Sequence, residues 1–266
     1  NGLGKQTNKE QGIPLTINFR GLDSMKKISL LLALIVFSSG SGISQAQDLE
    51  MPSGVVVRMT NCTITDDRFS FEDVVMRARG LDFGENSPNN LQFRRPIYTS
   101  QGYQENWDLQ IAAYYSSYTE MVDRRVASGD DSYGRLPLVC DGAMVVKNIV
   151  INQNAIDEET AMTTRRCILS EGSSTRSAYN RFRAAATNIS EAGNDTLLQL
   201  WLPGMGGPLD RNFDFIIANV GLTRQGLTEL EDMLREGFRA IPAEINAGFS
   251  CDRPSLWATS RIYQAD

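Results

Sequence analysis

Cys62 and Cys140 bracket a stretch of chain that Cys167 and Cys251 bracket a second time, at separations of 78 and 84 residues. After Cys62 come a helical stretch, a strand ending at Pro96, the run Trp107-Asp108-Leu109, another helix and Cys140-Asp141. After Cys167 come a helical stretch, a strand ending at Pro203, the run Phe213-Asp214-Phe215, a helix and Cys251-Asp252. Landmarks repeated in one order at matched offsets mark an internal duplication of a unit the size of a small domain. Residues 47–151 are expected to form the first unit and 160–266 the second. Whatever this chain folds into has to accommodate one plan twice.

Periodicity fills in the plan. The β-branched segment 54–64 (GVVVRMTNCTI) reads as a strand. Ser70 to Asp73 has the form of a capping box, and Phe71, Val74, Val75 and Ala78 then recur on one helical face. Strands are expected over 91–98 and 107–115, a helix over 117–126 and a closing strand over 143–151. The second unit repeats this with a strand at 162–169, a helix at 175–189 and strands at 196–202 and 213–220. Pro203-Gly204-Met205-Gly206-Gly207 reads as the turn between those last two, and a helix through Leu227, Leu230 and Leu234 precedes a last strand at 255–263. Each unit is therefore an α+β βαββαβ fold of the ferredoxin-like order, with its sheet running 4-1-3-2.

Four cysteines allow three pairings. In the 4-1-3-2 order the end of strand 1 lies beside the start of strand 4, which places Cys62 against Cys140 and Cys167 against Cys251 at bonding distance. Each such bridge closes a long loop and contributes on the order of 4 kcal/mol. No Cys-x-x-Cys spacing points to a redox dithiol.

Disulfides imply an oxidising compartment, and the N-terminal region agrees. Lys26 and Lys27 precede the apolar run 28–37, and Ser44-Gln45-Ala46 fits a small-x-small cleavage site. Residues 25–46 thus read as a signal peptide, with 1–24 as an upstream extension outside the native fold. The apolar run falls well short of the roughly 20 residues that span a bilayer. The expected product is exported, periplasmic or secreted. The full chain carries a net charge of −6, and beyond Ala46 its only lysine is Lys147. An acidic surface disfavours nucleic acids and anionic membranes as partners. The chain also contains no histidine. That excludes Ser-His-Asp and Cys-His catalysis and removes the commonest metal ligand.

Two ferredoxin-like units in one chain, each with an aromatic-Asp strand (Trp107-Asp108-Leu109-Gln110-Ile111-Ala112 and Phe213-Asp214-Phe215-Ile216-Ile217-Ala218), resemble the dimeric α/β-barrel superfamily. With the flanking cysteines they also look like a group of exported proteins of marine bacteria. The resemblance implies that the two units pack as an intramolecular α/β barrel. Superfamily members include cofactor-free monooxygenases, lactone isomerases, binding proteins and haem enzymes, the last relying on an axial histidine that is missing here. A ligand is expected between a sheet and its helices or between the two sheets.

Polar residues on the strands are the candidates to meet such a ligand: Arg58, Asn61, Arg95 and Arg165, with Trp107 and Trp201 as lining. Against this stands the plainer reading of arginines paired with acids on a solvated edge. Asp108 and Asp214 recur in both units and are the candidate catalytic bases, although each could equally cap a turn with its short carboxylate. No cofactor and no metal site is expected. The function expected is an exported, non-enzymatic binding or scaffold protein holding a small apolar or amphipathic molecule in the barrel. The alternative is a cofactor-independent monooxygenase or isomerase.

Overall fold

The computed structural model describes residues 50–99, 107–128, 135–207, 212–242 and 246–265. The expected signal peptide and upstream extension lie outside the described residues, as does most of the turn after Thr99.

In the first unit β1 (Val55–Ile64) is followed by α1 (Phe71–Arg79), β2 (Asn90–Tyr98), β3 (Leu109–Tyr115), α2 (Tyr118–Ser128) and β4 (Leu138–Val150). The second holds β5 (Glu159–Leu169), α3 (Thr175–Glu191), β6 (Leu197–Gly206), β7 (Phe215–Val220), α4 (Arg224–Arg235), β8 (Phe249–Cys251) and β9 (Ser255–Gln264). Helix α1 starts where the sequence indicates. The Ser70 hydroxyl accepts from the Asp73 amide, the Asp73 carboxylate accepts from the Ser70 amide, and Phe71, Val74, Val75 and Ala78 are buried. Ser174 and Ser177 make the same reciprocal cap on α3.

The strands are arranged β4-β1-β3-β2 in one unit and β9-β5-β7-β6 in the other, so both carry the 4-1-3-2 order. The two sheets do not remain separate layers. β2 pairs antiparallel with β9, and β6 pairs antiparallel with β4. Together with the β5–β7 pairing these seams close eight strands into a barrel, which removes the open edges that each unit would present alone. The molecule is a dimeric α/β barrel built within one chain. Alternation along each strand sends Leu91, Phe93, Leu109 and Ile111 outward onto α1 and α2, and Leu200, Phe215 and Ile217 outward onto α3. The opposite faces, with Val57, Met59, Val146, Met162, Trp201 and Trp257, fill the barrel interior.

Both disulfides form as the topology requires. Cys62 lies opposite Cys140 and Cys167 opposite Cys251 in the strand register, with Cα separations of 3.9 and 4.0 Å.

Three differences from the sequence expectation bear on how the barrel is built. β4 begins at Leu138, so Cys140 sits inside the strand and not ahead of it, and the chain passes Gly142 at positive φ where the register with β1 shifts. β6 runs on through Pro203-Gly204-Met205-Gly206, read above as a turn. Here Pro203 faces Val146, Gly206 faces Met144, and the Gly206 backbone lies too close to the Ala143 carbonyl for any side chain. The strand equivalent to β4 is broken in the second unit into β8 and β9, both on the same edge of β5, because Asp252-Arg253-Pro254 interrupts the ladder.

Candidate functional site

Among the described residues, the fully buried charge of the barrel interior stands on one side, in the first unit. Arg94, on β2, is 1% exposed, the largest fully buried side chain among the described residues. The apolar residues Leu91 and Phe93 face the helices, so the period of two turns Gln92 and Arg94 into the barrel. One Arg94 amino group, Nη1, donates to Gln110 Oε1 at 3.3 Å and to Met59 Sδ at 3.5 Å, and Nη2 donates to Tyr114 Oη at 2.5 Å. Tyr114 in turn donates to Gln92 Oε1 at 3.2 Å, and Gln110 donates to Asn61 Oδ1 at 3.2 Å. All of these residues belong to the first unit.

The second unit supplies the opposite wall. Trp201 holds the place on β6 that Arg94 holds on β2, as their register partners Ile216 and Gln110 show. The two meet across the barrel, with the guanidinium carbon 4.8 Å from the Trp201 ring centroid. Gln199 Oε1 accepts from both Trp201 Nε1 at 2.9 Å and Asn148 Nδ2 at 3.2 Å. Trp257 donates to Thr164 Oγ1 at 2.8 Å and stacks on Trp107 with 5.7 Å between ring centroids.

Several polar atoms in this interior have no partner. They are Arg94 Nε, Asn148 Oδ1 and Thr259 Oγ1, and Thr259 sits directly opposite Arg94 in the β2–β9 register. Among the described residues no carboxylate lies within ion-pair distance of Arg94. A buried polar group left unpaired costs about 1–3 kcal/mol, and an unpaired charge more. At the end of the barrel, where β4 ends and β6 begins, lies an open surface cleft of about 470 Å³. Val150, Leu197 and the inter-unit segment from Gln153 to Ile156 line it. Asn148 and Gln199 point inward two residues further along the same two strands, one layer deeper.

The sequence candidates fall into three places. Asn61, Trp107 and Trp201 reach the interior. Arg58 and Arg165 lie on the outward faces of β1 and β5, half-buried. Arg95 is outside: it pairs with Glu72 at 3.3 Å and lies over the Phe71 ring. Of the neighbouring arginines it is therefore Arg94, not Arg95, that enters the barrel, a distinction set by strand alternation. Asp108 and Asp214 are exposed. Their carboxylates accept from the Ile64 and Leu169 amides, both at 2.7 Å, and their own amides donate to the Cys62 and Cys167 carbonyls. They tie strands 1 and 3 of each unit together at the disulfide end.

The space between sheet and helices is packed. In the second unit Phe182, Phe215 and Phe249 meet at 5.0–6.1 Å there, along with Tyr179 and Leu200. A haem carried on an axial imidazole does not fit a chain without histidine and with this gap filled by aromatic rings.

Compared with protein-family models and with curated proteins, the chain matches none. Among solved structures, a point mutant of chlorite dismutase from Candidatus Nitrospira defluvii aligns over 79% of this chain and 92% of its own, at 12% identity and TM-score 0.43. An anthrone oxidase-like protein aligns over 81% and 97%, at 8% identity and TM-score 0.42. Likeness at this level says nothing about chemistry. The class of the molecule, a single-chain dimeric α/β barrel, rests on its own strand order and seams. Within that class this chain is distinguished by an interior with one cationic wall and one aromatic wall.

Proposed function

We propose that the chain is an exported, non-enzymatic binding protein that holds a small amphipathic molecule inside its barrel. The observation that carries this reading is the set of buried interior atoms left without partners, Arg94 Nε, Asn148 Oδ1 and Thr259 Oγ1. A closed core gains nothing from such atoms, whereas a ligand that completes their hydrogen bonds recovers their desolvation cost. Export is supported by the two disulfides and by the Lys26-Lys27, apolar and Ser44-Gln45-Ala46 sequence that precedes the barrel. Native mass spectrometry of the protein purified from its own host is expected to show a retained small molecule and a chain starting at Gln47. A ligand-free protein that also gains no thermal stability from any member of a library of small amphiphiles refutes the binding role.

One observation favours a second reading, a cofactor-independent oxygenase or isomerase. Arg94 holds an unused Nε–H donor in a dry interior, a group of the kind that stabilises an enolate or phenolate oxygen. Turnover of a phenol or lactone that is abolished by Arg94→Met selects this reading over simple binding.

A further inference from the structure

We infer that the molecule held in the barrel is an aromatic acid, its carboxylate anchored by the Arg94 guanidinium and its ring lying against Trp201. This rests on the barrel being a ligand site and names the chemistry of the ligand.

The argument starts from the charge. Arg94 is a permanent cation at 1% exposure, and the groups that face it from every neighbouring strand are neutral: Met59 on β1, Gln110 and Tyr114 on β3, Thr259 on β9 and Trp201 across the barrel. Buried guanidinium groups are ordinarily paired with carboxylates, because neutral acceptors offset only part of the lost hydration. The missing counter-charge is not supplied by any described residue.

The geometry then sets the class of anion. A guanidinium carries five N–H donors, and Arg94 uses three, one of them on a thioether sulfur. Nε is without an acceptor. A carboxylate takes two parallel N–H bonds from such a group. The Thr259 hydroxyl, also unpartnered and directly across the strand pair from Arg94, is a further donor to the same oxygen atoms.

The body of the ligand is set by the other wall. Trp201, Trp257, Met162, Ile216 and Ala218 come from the second unit and offer flat apolar surface without charge. Val150 and Leu197, at the end of β4 and the start of β6, continue this apolar lining toward the end of the barrel. An aliphatic dianion or a sugar phosphate would leave that wall unmatched.

Titration calorimetry of the mature protein, unfolded and refolded to free it of bound small molecules, tests this with two probes of one shape. These are 2-naphthoate and its neutral counterpart 2-naphthalenemethanol. The acid is expected to bind at least tenfold more tightly than the alcohol. In Arg94→Met that preference is expected to vanish while the alcohol still binds, and Arg94→Lys is expected to retain part of it. Equal binding of acid and alcohol to the wild-type protein overturns the anchor and leaves the barrel as a binding site. An acid preference that survives in Arg94→Met also overturns it, by placing the anchor elsewhere. If neither probe binds the wild-type protein, the inference falls, and the library screen and native mass spectrometry decide separately whether the binding reading falls with it.

Discussion

The two halves of the barrel share a backbone plan and differ in what they turn inward. Where the first unit places Arg94, Gln110 and Tyr114, the second places Trp201, Ile216 and Val220 at the matching register positions. Outward, the halves agree: Leu91 and Phe93 answer to Leu198 and Leu200, and Leu109 and Ile111 to Phe215 and Ile217. The face that packs against helices is thus alike in the two halves, where any loss of volume costs stability directly. The inner face differs. The interior is therefore not one lining made twice but a single lining with the buried cation on one wall and Trp201 and Trp257 on the other.

The largest effects expected concern what the halves share. Replacing either cysteine pair by alanine is expected to lower the unfolding free energy by about 4 kcal/mol, since both bridges close loops of about 80 residues. The consequence for local order should differ. β4 is a continuous strand of 13 residues, whereas β8 has three residues, one of them the bridged Cys251. Hydrogen exchange should therefore show β8 opening in the Cys167/Cys251 variant and β4 staying protected in the Cys62/Cys140 variant. Equal loss of protection would break the comparison.

Next in size is the interior. Trp201→Ala removes a fully packed ring and is expected to cost about 3–5 kcal/mol in chemical denaturation. Arg94→Met, at the matching position, is expected to cost nothing or to stabilise the ligand-free protein, because it removes a lone buried charge. The opposite signs of two equivalent substitutions would show that the walls have different jobs.

Asp108→Ala and Asp214→Ala each remove one carboxylate bond to a strand amide and are expected to cost about 1 kcal/mol, equally in the two units. A clearly larger loss at only one of them would give that residue a role beyond this bond.

The smallest effect is a difference in acid response. The residues three places into the helices of the first unit are Asp73 and Glu120, and those in the second are Ser177 and Gly226. Burial pushes the Glu120 carboxyl up, but bonds from the Ser116 hydroxyl and amide, with Arg124 and Asn89, outweigh it and hold the group below its usual range. Bonds from the Ser70 amide and hydroxyl hold Asp73 below its usual range as well. A depressed carboxyl contributes stability above its unfolded value, near 4, and that contribution is lost as pH falls through the lower folded value. Acid is therefore expected to loosen α1 and α2 before α3 and α4. Glu120→Gln should flatten the acid limb of the stability profile, and a first unit no more acid-sensitive than the second would contradict this.

Much of the architecture is legible in the chain itself. The cysteine spacing, the repeated aromatic-Asp run and the Ser70-to-Asp73 cap are local signals, and they lead to the strand order and to the disulfide pairing. The interior was harder to read. Arg94 and Arg95 are adjacent, and only the count from Leu91 and Phe93 decides which of them faces the barrel. That count was available, but it requires knowing that the apolar face belongs to the helices and not to the barrel. The extension of β6 through Pro203 and Gly206 was hidden because proline and glycine ordinarily end strands. Here the seam with β4 keeps the segment extended, and the close approach to Ala143 requires glycine.

The central claim is that Arg94 is kept in the barrel for a ligand and not for the fold. The most direct measurement is the unfolding free energy of ligand-free Arg94→Met beside wild type, by urea denaturation of refolded protein. The account predicts a variant at least as stable as wild type. A loss of about 3 kcal/mol or more, the size expected when a structural buried charge network is broken, would contradict it.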